Sequence, residues 1–534
     1  MQNNISENNQ NVQPFPLTLL MSKDGFINDK NNPIGRRSAG SSFLDAYLKY
    51  SGNDFHDLVV PGPDVRDWFE AKARSINSNA SSRFIGIRNW GIAAKKTGTF
   101  HFPDPYLERW AWRRMVYGDG TMSLLGIMHT LSSNGVQKAM SELSSAPIRP
   151  WDALICTSKA GKKVVEGFLD RQEDYLRWRH GARHFERPQL PIIPLGIDPS
   201  LWTTTEEPRS RKQRCRKELG LPQQARLVLI AGRLDFLTKF QPDPLLRVLE
   251  DLRTSSQPTL ELVIYGEALN DEQLTQWKQG AKQLAPSVPI HWFPGKNRSV
   301  SAPLRWSSDI FVSLADNPQE TFGITPLEAM AAGLPCLVSD WDGYRDTVVQ
   351  AGESDEPTGF RIPTRMIQGL GTPESISCVN GGMGDRPAIG LLSQGISVDQ
   401  DCLKHGLNQL LDDEPLRAAL GEAGQRRVHR LYDWKVVIEQ WRELIKNLTE
   451  RREQAQQAGL TLRPQLPPCR PSVSTAFGCY ATEVLEHDWN PPAPPPEIEA
   501  DRLNNPFQSW DQTLLKSDGP RRRGWWLKQG LVKP

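Results

Sequence analysis

No run of the 534-residue sequence approaches the ~18 consecutive apolar residues of a bilayer-spanning helix, which excludes a helical integral membrane protein. The N-terminus, MQNNISENNQNVQPFP, lacks the basic-then-apolar order of a secretory signal, so a cytoplasmic protein is expected. Charge of one sign is missing too: 64 Lys and Arg stand against 62 Asp and Glu, and a net charge of +2 neither demands nor excludes a phosphorylated partner. Cysteine is sparse and unpatterned. Cys156, Cys215, Cys336, Cys378, Cys402, Cys469 and Cys479 are odd in number and never spaced C-x-x-C, which argues against a disulfide framework or a zinc cluster. No G-x-G-x-x-G follows a strand-like run, so a nicotinamide-dependent oxidoreductase is discounted. There is no fixed-period repeat, and no obvious nucleophile–base pair.

What is present is 38% hydrophobic and 24% charged residues, enough for globular packing over two domains with appendages. Residues 1–15 form an expected disordered leader. From 16 to 200, mixed signals include the apolar LTLLM, the helix-periodic SSFLDAYLKY, strand-like DFHDLVVPG and PWDALICTS, the amphipathic KAGKKVVEGFLDRQEDYLRWR, and a strand-like PIIPLGID. The basic run in TTTEEPRSRKQRCRKELG is expected to be a solvated helix face, with no nucleic-acid partner. Over 201–365 strand and helix alternate clearly: RLVLIAG, DPLLRVLEDLRT, LELVIYG, DEQLTQWKQGAKQLA, IHWFPG, IFVSLA, TPLEAMAAG and PCLVSD. That alternation predicts an α/β fold with a parallel, doubly wound sheet, which binds ligands at the carboxyl ends of its strands. Residues 366–398 are expected to be an inserted loop and 399–452 closing helices. The Pro-rich extension 453–534 is expected to be disordered or loosely docked. Its end, Arg521–Gln529, mixes cations with Trp525 and Trp526, a composition suited to peripheral contact with an anionic membrane.

The chemistry concentrates in PQETFGITPLEAMAAGLPCLVSDWDGYRDTV. Glu320 precedes a helix and Glu328 lies one turn inside it, with Thr325 expected as N-cap and Pro326 at the first helical position. Free N–H groups and the positive helix end there suit a phosphate or a sugar oxygen, and Gly323 permits close backbone approach. In AGRLDFLTKF, Arg233 and Lys239 lie in the loop leaving the first strand of the second domain, on the same ligand-binding edge as Glu320, where two cations suit a diphosphate.

These stretches resemble the donor-site signature of retaining glycosyltransferases of family 4 (glycosyl transferases group 1), most strongly over residues 190–362. The resemblance implies the GT-B fold: two facing Rossmann-like domains with the site in the cleft between them. It implies a nucleoside-diphosphate sugar donor, a hydroxyl acceptor on a saccharide, a lipid-linked molecule or a small molecule, and no metal or other cofactor. Arg233 and Lys239 would hold the diphosphate, Glu328 the ribose, and Glu320 hydroxyls of the transferred sugar. The backbone of Phe322, Gly323 and Ile324 would contact sugar or phosphate. His129 resembles the first-domain histidine that touches the donor sugar. The first half departs from the family's Gly-Gly loop, and Gly35 and Gly40 in NNPIGRRSAGSSFLDAYL are the expected substitutes. A same-fold phosphorylase and a non-catalytic nucleotide-sugar or glycan scaffold are the alternatives. His180 and His184, four apart, have no third partner for a metal.

Overall fold

The computed structural model describes residues 15–27, 35–62, 64–253, 259–354, 356–485, 489, 492–498, 520–528, 530 and 532. The expected leader, apart from Phe15, lies outside them, as do residues 31–34 ahead of Gly35 and 499–519 of the extension. The chain divides into two compact units, Met1–Gln465 and Leu466–Pro534.

The first unit holds two six-stranded sheets. One comprises β1 (Thr18–Leu20), β2 (Phe55–Val60), β3 (Ser81–Gly86), β4 (Thr99–His101), β5 (Ser123–Ile127) and β6 (Ala153–Ile155), in the order β3-β2-β1-β4-β5-β6. The other comprises β7 (Arg226–Arg233), β8 (Leu260–Glu267), β9 (Ile290–Pro294), β10 (Ile310–Ser313), β11 (Cys336–Ser339) and β12 (Gly359–Ile362), in the order β12-β11-β10-β7-β8-β9. All pairings within both sheets are parallel. Helices cover both faces of such sheets, so the strands are buried on each side. Leu19, Leu58, Val59, Leu124 and Leu154 in one, and Val228, Leu262, Phe311 and Val338 in the other, have no exposed surface. This is the GT-B architecture.

Where the sequence shows clear helical periods, helices form with side-chain caps. Ser158 caps Lys159–His180 at Gly161 N, and Gly181, at φ 66°, ends it. The closing helices Glu414–Leu431 and Trp434–Gln457 begin on Asp413 and Asp433. The second of these returns to the first sheet. Trp441 packs on Phe43 with ring centroids 4.4 Å apart, Trp434 Nε1 donates to Ser42 Oγ at 2.6 Å, and Arg452 donates to Ser123 Oγ at 2.7 Å. Beside it, Ile197 N donates to Tyr432 O at 2.8 Å and Trp434 N to Ile197 O at 3.1 Å.

Several expectations need correction. Gly35 and Gly40 make no phosphate-facing loop: both lie inside the helix Gly35–Tyr50. A Cβ on Gly40 would sit 1.9 Å from the Gly25 carbonyl oxygen, so this glycine serves helix packing. PIIPLGID forms no strand; its β pairing is limited to the single bridges Cys156↔Ile192 and Ile197↔Asp433, while Ile193, Leu195 and Ile197 are buried in the core. The stretch 366–398 is not a loop. The antiparallel pair β13 (Thr364–Met366) and β14 (Ile396–Val398) encloses helices Thr372–Val379 and Asp385–Ser393. The extension begins well tied: Gln456 donates to Gly120 O at 2.7 Å, Leu462 N to Asp119 Oδ1 at 2.7 Å and Gln465 N to Met115 O at 2.9 Å. In the second unit Trp525 and Trp526, on the helix Pro520–Lys528, are only 7% and 8% exposed.

The basic run forms the expected helix and most of it faces solvent, but one of its cations turns inward. On the helix Pro208–Glu218, Arg216 is buried. It donates to the carbonyls of Ser307, Pro222, Gln223 and Ala225 and, at 2.8 Å, to Asp309 Oδ2. Asp309 also accepts Leu227 N at 2.7 Å, which pins the start of β7 to the start of β10. Removing one partner of such a pair strands a charge in the core. Asp309→Ala is therefore expected to cost about 3–5 kcal/mol in urea unfolding; a loss under about 1 kcal/mol would refute the pair's structural role.

Candidate functional site

In each sheet the strand order reverses once, between β1 and β4 and between β7 and β10. Loops leaving the carboxyl ends of the two reversal strands diverge there and open a crevice. In the second sheet those loops carry the residues singled out from sequence. Lys239, six residues past the end of β7, donates from Nζ to Glu320 Oε2 at 2.9 Å. Glu320 Oε1 accepts Thr321 N at 3.2 Å and Phe322 N at 3.4 Å. Burial alone would raise the Glu320 pKa; the Lys239 ammonium and these two N–H groups outweigh it and hold the carboxyl below the ordinary glutamate value.

Two further hubs shape these loops. Buried Asn317 donates from Nδ2 to Lys239 O at 2.8 Å, accepts Gln319 N at 3.0 Å, and its carbonyl accepts Trp341 Nε1 at 2.9 Å. Asp235 accepts Leu237 N at 3.0 Å and Thr238 Oγ1 at 2.7 Å, folding the segment between Arg233 and Lys239 into a tight turn. Arg233 itself has no side-chain hydrogen bond or ion pair among the described residues. It lines a cavity of about 410 Å³ at the ends of β7, β8 and β9, together with Glu267, Asn270, Phe293, Pro294 and Lys296. PGKN, Pro294–Asn297, thus borders the same cavity as Arg233.

The helix carrying Glu328 starts two residues earlier than its sequence indicates. It spans Ile324–Ala331 with Gly323 as N-cap, so Thr325 lies inside the first turn and caps nothing. Gly323 adopts φ 89°, and a Cβ there would sit 2.2 Å from the Tyr344 ring; this position admits only glycine. With no side chain capping it, the first turn presents its N–H groups to the crevice edge. Tyr344 is held beneath by a 2.7 Å hydrogen bond with Ser313 Oγ, so Asp340–Tyr344 supplies the floor of the loop. Glu328 is gripped by Arg305, which lies over the Trp202 ring at 4.6 Å and donates to Ser301 Oγ at 2.7 Å. Burial raises the Glu328 pKa against the opposing pull of Arg305 and Arg298.

From the first sheet, the loop after β5 meets these residues. Thr321 Oγ1 donates to the His129 carbonyl, and Ser132 Oγ donates to Gln319 Oε1 at 3.2 Å. Desolvation, then Arg36 and His101, push the His129 imidazole down to about 3, so it is neutral, with a buried Nε2 that has no partner. After β6, Ser158 Oγ donates to Asp342 Oδ1 at 3.0 Å and Lys159 N to Asp346 Oδ2 at 2.7 Å.

The structure thus brings Lys239, Glu320, Phe322 and the His129 loop into direct contact. Glu328 and Arg233 stand on flanking elements. Sequence reading missed Arg305, Asn317 and Asp235. Only Arg305 left a trace: a cation between apolar positions of SAPLRW.

Residues 211–370 match the family model described as glycosyl transferases group 1. A GDP-mannose-dependent monoacylated alpha-(1-6)-phosphatidylinositol monomannoside mannosyltransferase of Corynebacterium glutamicum is 24% identical over 279 residues, 51% of this chain and 60% of that one. A phosphatidyl-myo-inositol mannosyltransferase of Mycolicibacterium smegmatis is 28% identical over 221 residues, 41% of this chain and 45% of its own. The chain therefore spans about half the length of these curated relatives. Among solved structures, Anabaena HepE in complex with UDP and glucose superposes with a TM-score of 0.54 at 14% identity, over 81% of this chain and 99% of HepE. A glycosyltransferase from Rickettsia africae gives 0.52 at 13%, over 82% and 99%. These likenesses establish the shared fold.

Asp342 provides a test of the contact between the two halves. Desolvation, then Glu320 and Asp346, push its pKa from 3.8 up to about 7. A raised folded-state value means that its stabilising contribution is complete below about pH 4 and lost as pH rises through about 7. Asp342→Asn is accordingly expected to gain on the parent between about pH 4 and about pH 8 in denaturant titrations; parallel pH profiles would rule this out.

Proposed function

We propose that this chain, whose residues 211–370 belong to the glycosyl transferases group 1 family, moves a hexosyl group from a nucleoside-diphosphate sugar to an acceptor hydroxyl with retention of configuration. The observation that carries this reading is the meeting of Lys239, Glu320 and an uncapped helix start at the strand reversal of the second sheet.

In this reading Arg233 and Lys239 take the diphosphate, helped by N–H groups at Ile324 and the neighbouring backbone of Phe322 and Gly323. As the sugar–phosphate bond breaks, negative charge grows on the leaving oxygen, and fixed cations and N–H dipoles in a largely water-free crevice stabilise it without reorganising. The cations that meet this charge belong to the chain itself, so the reading includes no metal or other cofactor. Glu328, oriented by Arg305, accepts from the ribose hydroxyls. Glu320, kept ionised by Lys239, accepts from hydroxyls of the transferred sugar. Neutral His129 offers hydrogen-bonding capacity to the sugar without adding charge beside the diphosphate. The acceptor enters from the first-sheet side and attacks the face that the diphosphate leaves, passing its proton to a leaving phosphate oxygen; no separate base is needed.

The acceptor is a saccharide, a lipid-linked molecule or a small hydroxyl compound, and the reading includes no nucleic-acid partner; within the basic run Lys212 and Arg216 are taken up by buried Asp309. The chain is proposed to work in the cytoplasm. Among the described residues no helix is long and apolar enough to cross a membrane. Peripheral membrane contact through Arg521–Gln529 loses support from the burial of Trp525 and Trp526.

A thermal-shift panel of UDP, GDP, ADP and their sugars tests the donor site. One nucleotide family is expected to raise the melting temperature on the order of 2–5 °C, with the shift lost in Glu328→Ala. Glu320→Gln is expected to keep nucleotide affinity within about threefold and to lower turnover on the order of a hundredfold. If no nucleotide moves the transition, and sugar 1-phosphate forms from inorganic phosphate instead, the phosphorylase replaces this reading.

A further inference from the structure

The module between β13 and β14 belongs to none of the roles above, yet it touches both walls of the crevice. Its helix Asp385–Ser393 packs against the turn that follows β7. A Cβ on Gly390 would lie 2.7 Å from Leu237 Cδ2, so the helix can approach this closely only at glycine. Arg386 Nη2 donates to Asp235 Oδ1 at 3.2 Å. Gln241 Nε2 donates to Ser393 Oγ at 3.4 Å and to Phe236 O at 2.9 Å. The helix therefore braces the turn from Arg233 to Lys239 at Asp235 and Leu237, and holds Gln241 just beyond it, with Arg386 as the cation that balances the buried carboxylate.

The same helix reaches across to the first-sheet side. Asp385 Oδ1 accepts Asn134 N at 2.9 Å. Asn134 opens the helix Asn134–Glu142, whose own N-cap residue, Ser133, makes no side-chain cap. A carboxylate from the other half of the molecule supplies the missing cap, at the helix end where negative charge is favoured. That helix directly follows the His129–Ser132 loop, which touches Thr321 and Gln319.

We infer that residues 364–398 form a clasp joining the diphosphate turn to the acceptor wall, with Arg386 as the positioning residue for Arg233 and Lys239 and Asp385 as the cross-crevice cap. The inference rests on the donor-site reading above. Loosening Arg386 lets the Asp235 turn relax and moves Arg233 and Lys239 off the diphosphate. Loosening Asp385 lets the acceptor wall swing away and admits water to a bound donor.

The test uses the full chain and two readouts. In hydrogen–deuterium exchange without nucleotide, Arg386→Ala is expected to expose the amides of Leu237 and Thr238 while β8 keeps its protection, and Asp385→Ala to expose Asn134. In titrations with UDP, GDP and ADP, Arg386→Ala is expected to weaken the tightest binder on the order of tenfold, with Arg386→Lys recovering most of the loss. In Asp385→Ala, nucleotide affinity stays at the parent value while hydrolysis of the cognate nucleotide sugar rises several-fold relative to transfer. Exchange and affinity identical to the parent in Arg386→Ala overturn the clasp, as does an Arg386→Lys variant no better than the alanine one. Exchange that responds in a parent binding none of the three nucleotides keeps the clasp and removes the donor reading instead.

Discussion

The ion pair between Lys239 and Glu320 is the constraint on which the rest of the crevice depends. Both groups are partly buried, and a cation and two backbone donors standing against the Glu320 carboxylate outweigh its desolvation and hold it ionised. That arrangement fixes the loop after β7 against the loop after β10. It also sets the direction of the Thr321 and Phe322 amides, and so the point at which the Gly323 helix can begin. Asn317 and Asp235 do the complementary work of closing each loop upon itself. What remains directed outward are Arg233 and the free N–H groups of the helix start, the groups that a diphosphate needs.

The second sheet was legible because its strands are long and its crossover helices strongly periodic. RLVLIAG and LELVIYG became eight-residue strands, and DPLLRVLEDLRT became a helix with its leucines buried. The first sheet was read less well. β4 has only three residues, and β3 is half polar, so neither offers a pattern in sequence. Tertiary contact overrode local signals elsewhere. Glycines 35 and 40 look like a loop but lie in a helix, because one turn of it must pass close to the Gly25 backbone. The Gly- and Pro-rich stretch 366–398 looks like a loop because its helices are short and show few buried positions; what they pack on lies more than a hundred residues away.

The donor-side residues were readable from motif spacing, since Glu320, Gly323 and Glu328 are fixed by one loop and one helix. Their supports were not. Arg305 reaches Glu328 from another helix, and Asn317 and Asp235 act through backbone groups that any residue type possesses. The basic run 208–218 shows the same limit in reverse. Its composition suggests a wet surface, but Arg216 is spent on Asp309 and four carbonyl oxygens at the root of β7 and β10. Whether a cation faces solvent or a buried acceptor is decided by distant parts of the chain.

The paired crossings at Ile197 and Asp433 carry a mechanical implication. The chain passes between the two sheets at adjacent points that are hydrogen-bonded to each other in both directions. Two strands joined side by side resist shear but twist readily, so they act as a pair of pins on one axle. Beyond them the helix Trp434–Gln457, about 36 Å long, is bolted to the first sheet at Ser42 and Ser123 and moves with it as a lever. A rotation of the two sheets about these crossings would be carried along the whole helix, and it would have to part the cross-crevice bonds of Ser132, Asn134 and Ser158 as well.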